Sequence, residues 1–121
     1  HVTLASVPDG LSRTAAFSER IRGSGRPDRP DPARDFYPRQ AGSRTADQLI
    51  RSCRASARPG RRPFADGGAW WFWMGRERTL YNHAQAPNGP VPDCLSPNVI
   101  TADGMATARS LHPGGVHVVM G

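Results

Sequence analysis

The chain has 121 residues, which suits a single domain with a small hydrophobic core. Its 13 glycines and 12 prolines together fill 25 positions, so short elements joined by turns and irregular backbone are expected. No apolar run approaches the roughly 20 residues that cross a bilayer, and no charged segment followed by an apolar one marks a signal peptide. If the protein is exported, we expect its targeting segment upstream of His1.

The positive charge is concentrated in one segment. All 16 basic residues are arginine, and 12 of them lie between Arg20 and Arg62 together with four aspartates, which gives this segment a formal charge of +8 against +6 for the whole chain. Such a segment either binds phosphates by releasing counterions or is a solvated face. The complete absence of lysine indicates codon bias, so we expect no nucleic-acid partner and keep an arginine-dependent nucleic-acid binder as the last alternative.

The first third of the chain predicts a turn, a strand and a loop. Pro8, Asp9 and Gly10 form a turn signal, because proline presets one dihedral angle and glycine accepts positive φ. Residues 14–21 have too little periodicity to separate a strand from a short helix, and we favour a strand. In residues 22–38 prolines are interspersed with arginine and aspartate, so we predict a flexible loop with little apolar area to bury.

The clearest helix signal lies in the middle of the chain. Thr45 and Gln48 have the spacing of a capping box, which predicts a helix over residues 46–57. Leu49 and Cys53 then share one face of the helix, so Cys53 should point towards the core.

The last half of the chain has a β-like composition. Residues 69–74 and 79–84 are aromatic-rich runs around a short connection, which predicts a β-hairpin. Residues 112–115 form a tight turn before residues 116–120, whose β-branched side chains predict a final strand. These elements predict an α+β fold over residues 1–121, with one principal helix packed on a small, mainly antiparallel sheet with long loops.

Cys53 and Cys94 are the two cysteines of the chain. They are too few for a zinc site, which usually takes four ligands in paired spacing, so we expect no metal. In an oxidising compartment they would form a disulfide that anchors the proline-rich loop around Cys94 to the helix and contributes about 2–4 kcal/mol to stability. The alternative is a pair of reduced, buried thiols.

Three sequence elements match the motifs of one known family in the same order. The first is D-G-x-S-x-T followed by a glutamate, the second is Y-N-H with P-N-x-P and a cysteine, and the third is S-x-H-P-G-G-V. The residues are Asp9, Gly10, Ser12, Thr14 and Glu19, then Tyr81, Asn82, His83, Pro87, Asn88, Pro90 and Cys94, and finally Ser110, His112, Pro113, Gly114, Gly115 and Val116. The chain thereby resembles a family of exported, prepilin-like bacterial proteins that carry the DUF1559 domain of unknown function and a C-terminal H-x(9)-DG signature.

The resemblance implies export, a pilin-like α+β body, and an upstream apolar helix that packs against other subunits or holds the protein at the membrane; the family is abundant in planctomycete-type bacteria. The chain departs from the family pattern at Arg13, where asparagine is usual, at Ala86, where proline is usual, and at Gly89, where serine is usual. Gly121 is the ninth residue after His112, so the Asp-Gly of the signature is missing. We therefore expect a fragment truncated at both ends.

The histidines give little support for catalysis. No serine, cysteine or carboxylate lies at a diagnostic spacing from His112, so we interpret it as a structural residue that ties its turn to a neighbouring carbonyl. The competing interpretation makes His112 a metal ligand together with the missing aspartate. For His83 we expect a hydrogen bond to the loop at Pro87. The common hydrolase, metalloprotease and phosphate-binding motifs are absent from the sequence, so we expect neither an enzyme nor a cofactor.

The aromatic run Trp70-Trp71-Phe72-Trp73 is the strongest candidate for a binding surface. Strand alternation would place Trp71 and Trp73 on one face and Trp70 and Phe72 on the other, which predicts that one face is exposed. Exposed indoles stack on sugars or bases, or pack against a neighbouring subunit. The alternative is that one pair fills the core and the other lies under the proline-rich loop.

These observations favour a non-enzymatic, extracytoplasmic structural or assembly component related to pseudopilins, at the cell surface or secreted. Its expected partners are copies of itself or other pilin-like subunits. The first alternative is a module that binds an extracellular carbohydrate, another cell-surface polymer or a peptide through Trp70, Trp71 and Trp73.

Overall fold

The computed structural model describes residue 3 and residues 6–8, 10–43, 45–97 and 103–121. These residues form an α+β fold, as predicted, with one α-helix and short strands in two sheets. In chain order the elements are a 3-10 turn (Leu11–Arg13), β1 (Ala15–Ser18), β2 (Tyr37–Pro38), α1 (Ala46–Ser56), β3 (Cys94–Leu95), β4 (Gly104–Met105) and β5 (Val118–Met120). Among the described residues, no helix is both long enough and apolar enough to span a bilayer.

The two sheets differ in direction. Strands β1 and β5 pair antiparallel, with Ser18 opposite Val118 and Ala15 opposite Met120, so this sheet joins the two ends of the described chain. In the second sheet β3 is central: it pairs parallel with β2 and antiparallel with β4. The strands predicted over residues 14–21 and 116–120 are thus confirmed in β1 and β5.

Helix α1 begins and ends within about one residue of its predicted bounds. The hydroxyl of Thr45 accepts a hydrogen bond from the backbone N–H of Gln48 at 3.2 Å, which satisfies a donor that the first turn leaves free. At the other end, the backbone N–H of Ala57 donates to the carbonyl of Cys53. Cys53 is fully buried and Leu49 packs against the same core, so the predicted apolar face is confirmed.

A disulfide between Cys53 and Cys94 ties α1 to the central strand β3. The prediction of this bond is confirmed. Both sulfurs lie in the main apolar cluster, where they pack with Tyr37, Val91 and Met105. The disulfide therefore crosses the middle of the core, between the helix and the three-stranded sheet.

A buried ionic network supplements this small core. The carboxylate of Asp93 accepts hydrogen bonds from the backbone N–H of Thr107 at 3.1 Å and from the guanidinium of Arg109 at 3.3 Å. Arg20 reaches the same carboxylate at 3.9 Å and lies over the ring of Phe36, 3.9 Å from its centroid. Burial lowers the pKa of Arg20 to about 10, with the charge of Asp93 opposing the shift.

The hairpin predicted over residues 69–74 and 79–84 is wrong, because neither segment forms a strand. The backbone bends at Gly75, whose carbonyl accepts hydrogen bonds from the N–H groups of Arg78, Thr79 and Leu80. These backbone N–H groups, which could donate across the strands in a hairpin, therefore donate within one local turn instead. Aromatic residues are frequent in strands because they pack well there, and this preference does not by itself set the backbone conformation.

The expectation that residues 22–38 bury little apolar area is wrong at the end of that segment. Phe36 is fully buried and Tyr37 is almost so. The carboxylate of Asp35, also fully buried, accepts hydrogen bonds from Ser24 and from the backbone N–H of Asp31, which folds the loop around it. The flexibility of residues 22–38 stays a prediction, and burial argues against it at both ends of the segment, where Gly23 and then Asp35, Phe36 and Tyr37 are buried.

Candidate functional sites

The aromatic loop, residues 70–74, projects from the body of the molecule. All five of its side chains, from Trp70 to Met74, are between 49% and 81% exposed. The predicted exposure of indole rings is confirmed. The predicted strand with one buried face is wrong, and so is the alternative in which one aromatic pair fills the core. The rings contact one another instead: Phe72 packs edge-on against Trp70 and Trp71, with centroids 6.1 and 6.0 Å apart.

The base of the aromatic loop is closed by polar contacts. The backbone N–H of Gly68 donates to the carbonyl of Glu77 at 2.7 Å. The guanidinium of Arg78 forms an ion pair with Asp66 at 2.9 Å, and the carbonyl of Asp66 accepts a hydrogen bond from the N–H of Ala69. The exposed side chains are thus presented from a loop whose two ends are held together.

A groove of about 490 Å³ lies beside the aromatic loop. Its apolar walls come from the loop itself and from the end of β3, and charged side chains stand at its edge. The residues that line it are Phe64, Asp66, Trp70, Phe72, Trp73, Glu77, Arg78, Leu95, Ser96 and Pro97. Flat apolar rings beside carboxylates and a guanidinium suit a ligand with one apolar face and polar edges, such as a sugar.

Two asparagines of the second sequence element hold irregular backbone in place. The side-chain amide of Asn82 donates to the carbonyl of Gly104 at 2.9 Å and accepts from the N–H of Ala106. Asn88 adopts a positive φ of 55°, and its side-chain oxygen accepts from the N–H of Ser110 at 2.9 Å. Both residues therefore tie the second element to the segment that leads to the third.

Apart from the buried Cys94, the other residues of the second element lie at the surface or near it. Tyr81 is half-buried, and its ring packs edge-on against that of exposed His83, 5.1 Å between centroids. The hydrogen bond expected between His83 and the loop at Pro87 is replaced by this ring contact. Pro87 and Pro90 are both exposed.

The first element forms a turn before β1. The backbone N–H of Gly10 donates to the carbonyl of Val7, and Gly10 has a φ of +75°, which glycine adopts without strain. The hydroxyl of Thr14 donates back to the carbonyl of Gly10 at 3.0 Å, while Ser12 is exposed. Asp9, the remaining member, lies outside the described residues.

The first and third elements meet at the end of the β1–β5 sheet. Glu19 directly follows β1, and His117 directly precedes β5, so strand pairing brings them together. One carboxylate oxygen of Glu19 lies 2.7 Å from Nε2 of His112 and accepts the backbone N–H of His117, also at 2.7 Å. The rings of His112 and His117 pack edge-on, 4.8 Å between centroids. We call these three residues the Glu-His-His cluster.

Sequence spacing missed this cluster because Glu19 and His112 are 93 residues apart. The search by sequence spacing therefore did not detect the carboxylate that accompanies His112 in three dimensions. Pairing of the two predicted terminal strands was the signal that could have found Glu19, and His117 with it. The predicted tie between the ring and a neighbouring carbonyl is present, since Nδ1 of His112 lies 3.1 Å from the carbonyl oxygen of Pro113.

The turn after His112 depends on two glycines. Gly114 and Gly115 have φ values of +98° and +126°, a region that other residues rarely adopt, and Pro113 precedes them at the surface. This turn directs the chain from His112 back towards β5 and places His117 beside His112.

The electrostatics of the cluster favour a charged pair. The pKa of Glu19 lies below its ordinary value, mainly because the N–H of His117 donates to it and also because His112 does. The pKa of His112 is raised above its ordinary value, first by its hydrogen bond to the carbonyl of Pro113 and then by Glu19. Both shifts favour the state in which the Glu19 carboxylate is ionised and the neighbouring imidazole of His112 is protonated.

The fold and these sites define a small, disulfide-linked α+β domain with an exposed aromatic loop and a Glu-His-His cluster. The chain belongs to the family described as "Protein of unknown function (DUF1559)", whose family profile matches residues 1–121. This match confirms the DUF1559 family that the three sequence elements predicted. No curated protein and no solved structure gave a significant match to the chain.

Proposed function

We propose that this chain is the extracytoplasmic body of a non-enzymatic, prepilin-like structural or assembly protein that contacts other subunits through its aromatic loop. The observation that carries the proposal is the exposure of all five side chains of residues 70–74. A contiguous apolar surface of this kind typically marks a contact with another macromolecule. Aromatic residues and methionine are also enriched in the buried centres of protein interfaces.

The disulfide supports a location outside the cytoplasm. Disulfides persist in oxidising compartments and are rare where glutathione and thioredoxin keep thiols reduced. The bond between Cys53 and Cys94 lies in the main core cluster and is therefore part of the fold. A protein folded around such a bond suits export, as the prepilin-like resemblance implies.

Self-association is the test of the assembly role. Trp71 is 81% exposed and does not line the groove, so Trp71→Ser should remove a subunit contact without removing a side chain that lines the groove. Analytical ultracentrifugation should show concentration-dependent association of the wild type, and the association constant should fall at least about tenfold in Trp71→Ser. Leu111→Ser, which replaces another exposed apolar residue outside the aromatic loop, is the matched control and should associate like the wild type. A wild type that stays monomeric at high concentration, or equal losses in both variants, would contradict the proposal.

A carbohydrate-binding role is the second candidate, and the groove favours it. Trp70, Phe72 and Trp73 form its aromatic wall, with Asp66 and Glu77 among its polar groups. If a soluble polysaccharide fragment binds there, it should quench tryptophan fluorescence with little dependence on salt. Trp73→Ser should abolish the quenching and Trp71→Ser should retain it, whereas the assembly proposal expects Trp71→Ser to weaken self-association.

Support for nucleic-acid binding is weaker. Arg20, Arg39 and Arg109 have buried or nearly buried side chains that pair with Asp93 or Asp103, so they are not available to phosphates. Strongly salt-dependent binding of the wild type to DNA would favour this reading over both others.

A further inference from the structure

The Glu-His-His cluster has the donor set of a metal site. Glu19, His112 and His117 each offer one ligand atom, and these atoms all lie within 4.8 Å of one another. Glu19 and His117 flank one end of the β1–β5 sheet, where the backbone N–H of Glu19 donates to the carbonyl of His117, and His112 reaches this end from the turn before β5. The cluster is half-buried to exposed, so an ion has a direct path to it from solvent.

We propose that Glu19, His112 and His117 bind one divalent transition-metal ion of the zinc type, with the fourth coordination position open to solvent. Two imidazoles and a carboxylate suit Zn²⁺ and its neighbours in the first transition row, whereas Ca²⁺ and Mg²⁺ prefer oxygen ligands alone. Three protein ligands with an open position are a common arrangement of zinc in proteins.

The distances fit an ion after a small adjustment. With metal–ligand bonds of about 2.0–2.2 Å and tetrahedral angles, ligand atoms lie roughly 3.3 Å apart. The carboxylate oxygen of Glu19 and Nε2 of His112 are 2.7 Å apart and must separate slightly, while the widest separation among the three ligand atoms, 4.8 Å at most, must close. The side chains of His112 and Glu19 are 41% and 35% exposed, so neighbouring atoms leave room for the small rotations about their side-chain bonds that this adjustment needs.

The surroundings of His112 are those of a metal ligand. Its Nδ1 lies 3.1 Å from the carbonyl oxygen of Pro113, which can accept the Nδ1 proton, so a metal would take the place of the proton that Nε2 donates to Glu19 in the ion pair. Ligating histidines usually donate their second ring N–H to a carbonyl or carboxylate in this way, and the partner fixes the orientation of the ring. The backbone N–H of His117 similarly holds the Glu19 carboxylate in place.

We expect the bound metal to stabilise the pairing of β1 with β5. The metal would join side chains that are 93 and about 98 residues apart in the chain, and so hold β1 against β5. This role is independent of the aromatic loop and of the assembly function proposed above.

The test is metal binding by the whole chain, purified without a histidine tag and first stripped with a chelator. ZnCl₂ added to about a hundredfold excess over the dissociation constant should raise the melting temperature by about 5 °C or more. Co²⁺ at the same site should give the intense visible absorption of a tetrahedral complex. His117→Ala and Glu19→Gln should each weaken binding by more than about 100-fold, since the loss of a mere supporting group already costs about 10–100-fold.

His83→Ala is the matched control, because His83 is an exposed histidine that is not a member of the cluster. It should keep the full shift in melting temperature and the full Co²⁺ spectrum. His117→Ala keeps the backbone N–H that donates to Glu19, so its metal-free form should fold, and its circular dichroism will verify this. A wild type without a metal-dependent shift, or binding that survives in His112→Ala/His117→Ala, would overturn the proposal and leave the cluster as an ion pair only.

Discussion

At the scale of single residues, polar side chains hold together backbone that has little regular structure. Asn82, Asn88 and Asp93 each accept a backbone N–H from the segment between residues 104 and 110. Such side-chain bonds replace the strand ladders that satisfy backbone groups in most domains. Asn82 and Asn88 were recognisable in the sequence as motif members and Asp93 was not, and the partners of all three lie from 14 to 24 residues away, where only the fold reveals them.

The hydrogen bonds and ion pairs of Asp93 should contribute more to the free energy of unfolding than a surface ion pair does. Asp93→Asn keeps an acceptor for Thr107 but leaves the charges of Arg109 and Arg20 buried without a counterion. We expect a loss of about 3–5 kcal/mol in the free energy of unfolding, measured by urea denaturation. The control is Asp66→Asn, which breaks a much more exposed pair with Arg78 and should cost about 0–1 kcal/mol. Equal losses in the two variants would refute the assignment.

The ion pair of His112 with Glu19 should make stability depend on pH. The raised pKa of His112 gives a contribution that is present below its ordinary value of 6.5 and is lost as the pH rises through the raised pKa. The lowered pKa of Glu19 gives a contribution that is present above 4.5 and is lost as the pH falls through the lowered pKa. In the presence of a chelator, His112→Ala should therefore lower the melting temperature most between about pH 4.5 and 6.5.

The measurement is a series of thermal melts across pH, with His83→Ala as the control variant. The difference between wild type and His112→Ala should shrink as the pH rises through the raised pKa of His112, because the imidazole then becomes neutral in the folded chain as well as in the unfolded chain. A difference that stays constant from pH 5 to pH 9 would show that the ring acts by its shape and not by its charge.

At the scale of elements, the helix and the central strand are joined by a covalent bond as well as by packing. Helix α1 places Cys53 towards the core because Leu49 and Cys53 lie on one face, and β3 places Cys94 opposite it. Strands β2, β3 and β4 contain only two residues each, so hydrogen bonds alone give this sheet little stability.

Removal of the disulfide should therefore be costly. We expect Cys53→Ala/Cys94→Ala to lower the free energy of unfolding by about 2–4 kcal/mol, because the unfolded chain regains the freedom of a loop spanning 41 positions. Chemical denaturation of the variant and of the wild type, each with and without a reducing agent, will measure it. The reductant should weaken the wild type and leave the variant unchanged; a wild type insensitive to full reduction would contradict the expectation.

At the scale of the whole molecule, a basic body carries two features on separate parts of the chain. The aromatic loop is presented from residues 66–78, and the Glu-His-His cluster closes the β1–β5 sheet. The core between them is small, and it relies on a disulfide and a buried carboxylate where larger domains rely on apolar packing. The assembly role and the metal site can accordingly be tested independently. Substitution of Trp71 tests assembly, and substitution of His117 tests metal binding.

Local signals in the sequence determined the helix, the terminal strands, the turn at residues 112–115 and the facing of Cys53. Each depends on capping, periodicity or the dihedral limits of proline and glycine, which act over a few residues. Only the tertiary structure decided that residues 70–74 leave the core, that β2 pairs parallel with β3, and that Glu19 meets His112 and His117. These features depend on contacts between distant segments. Each backbone N–H can donate to a nearby or to a distant acceptor, and the packing of the whole chain determines which acceptor it binds.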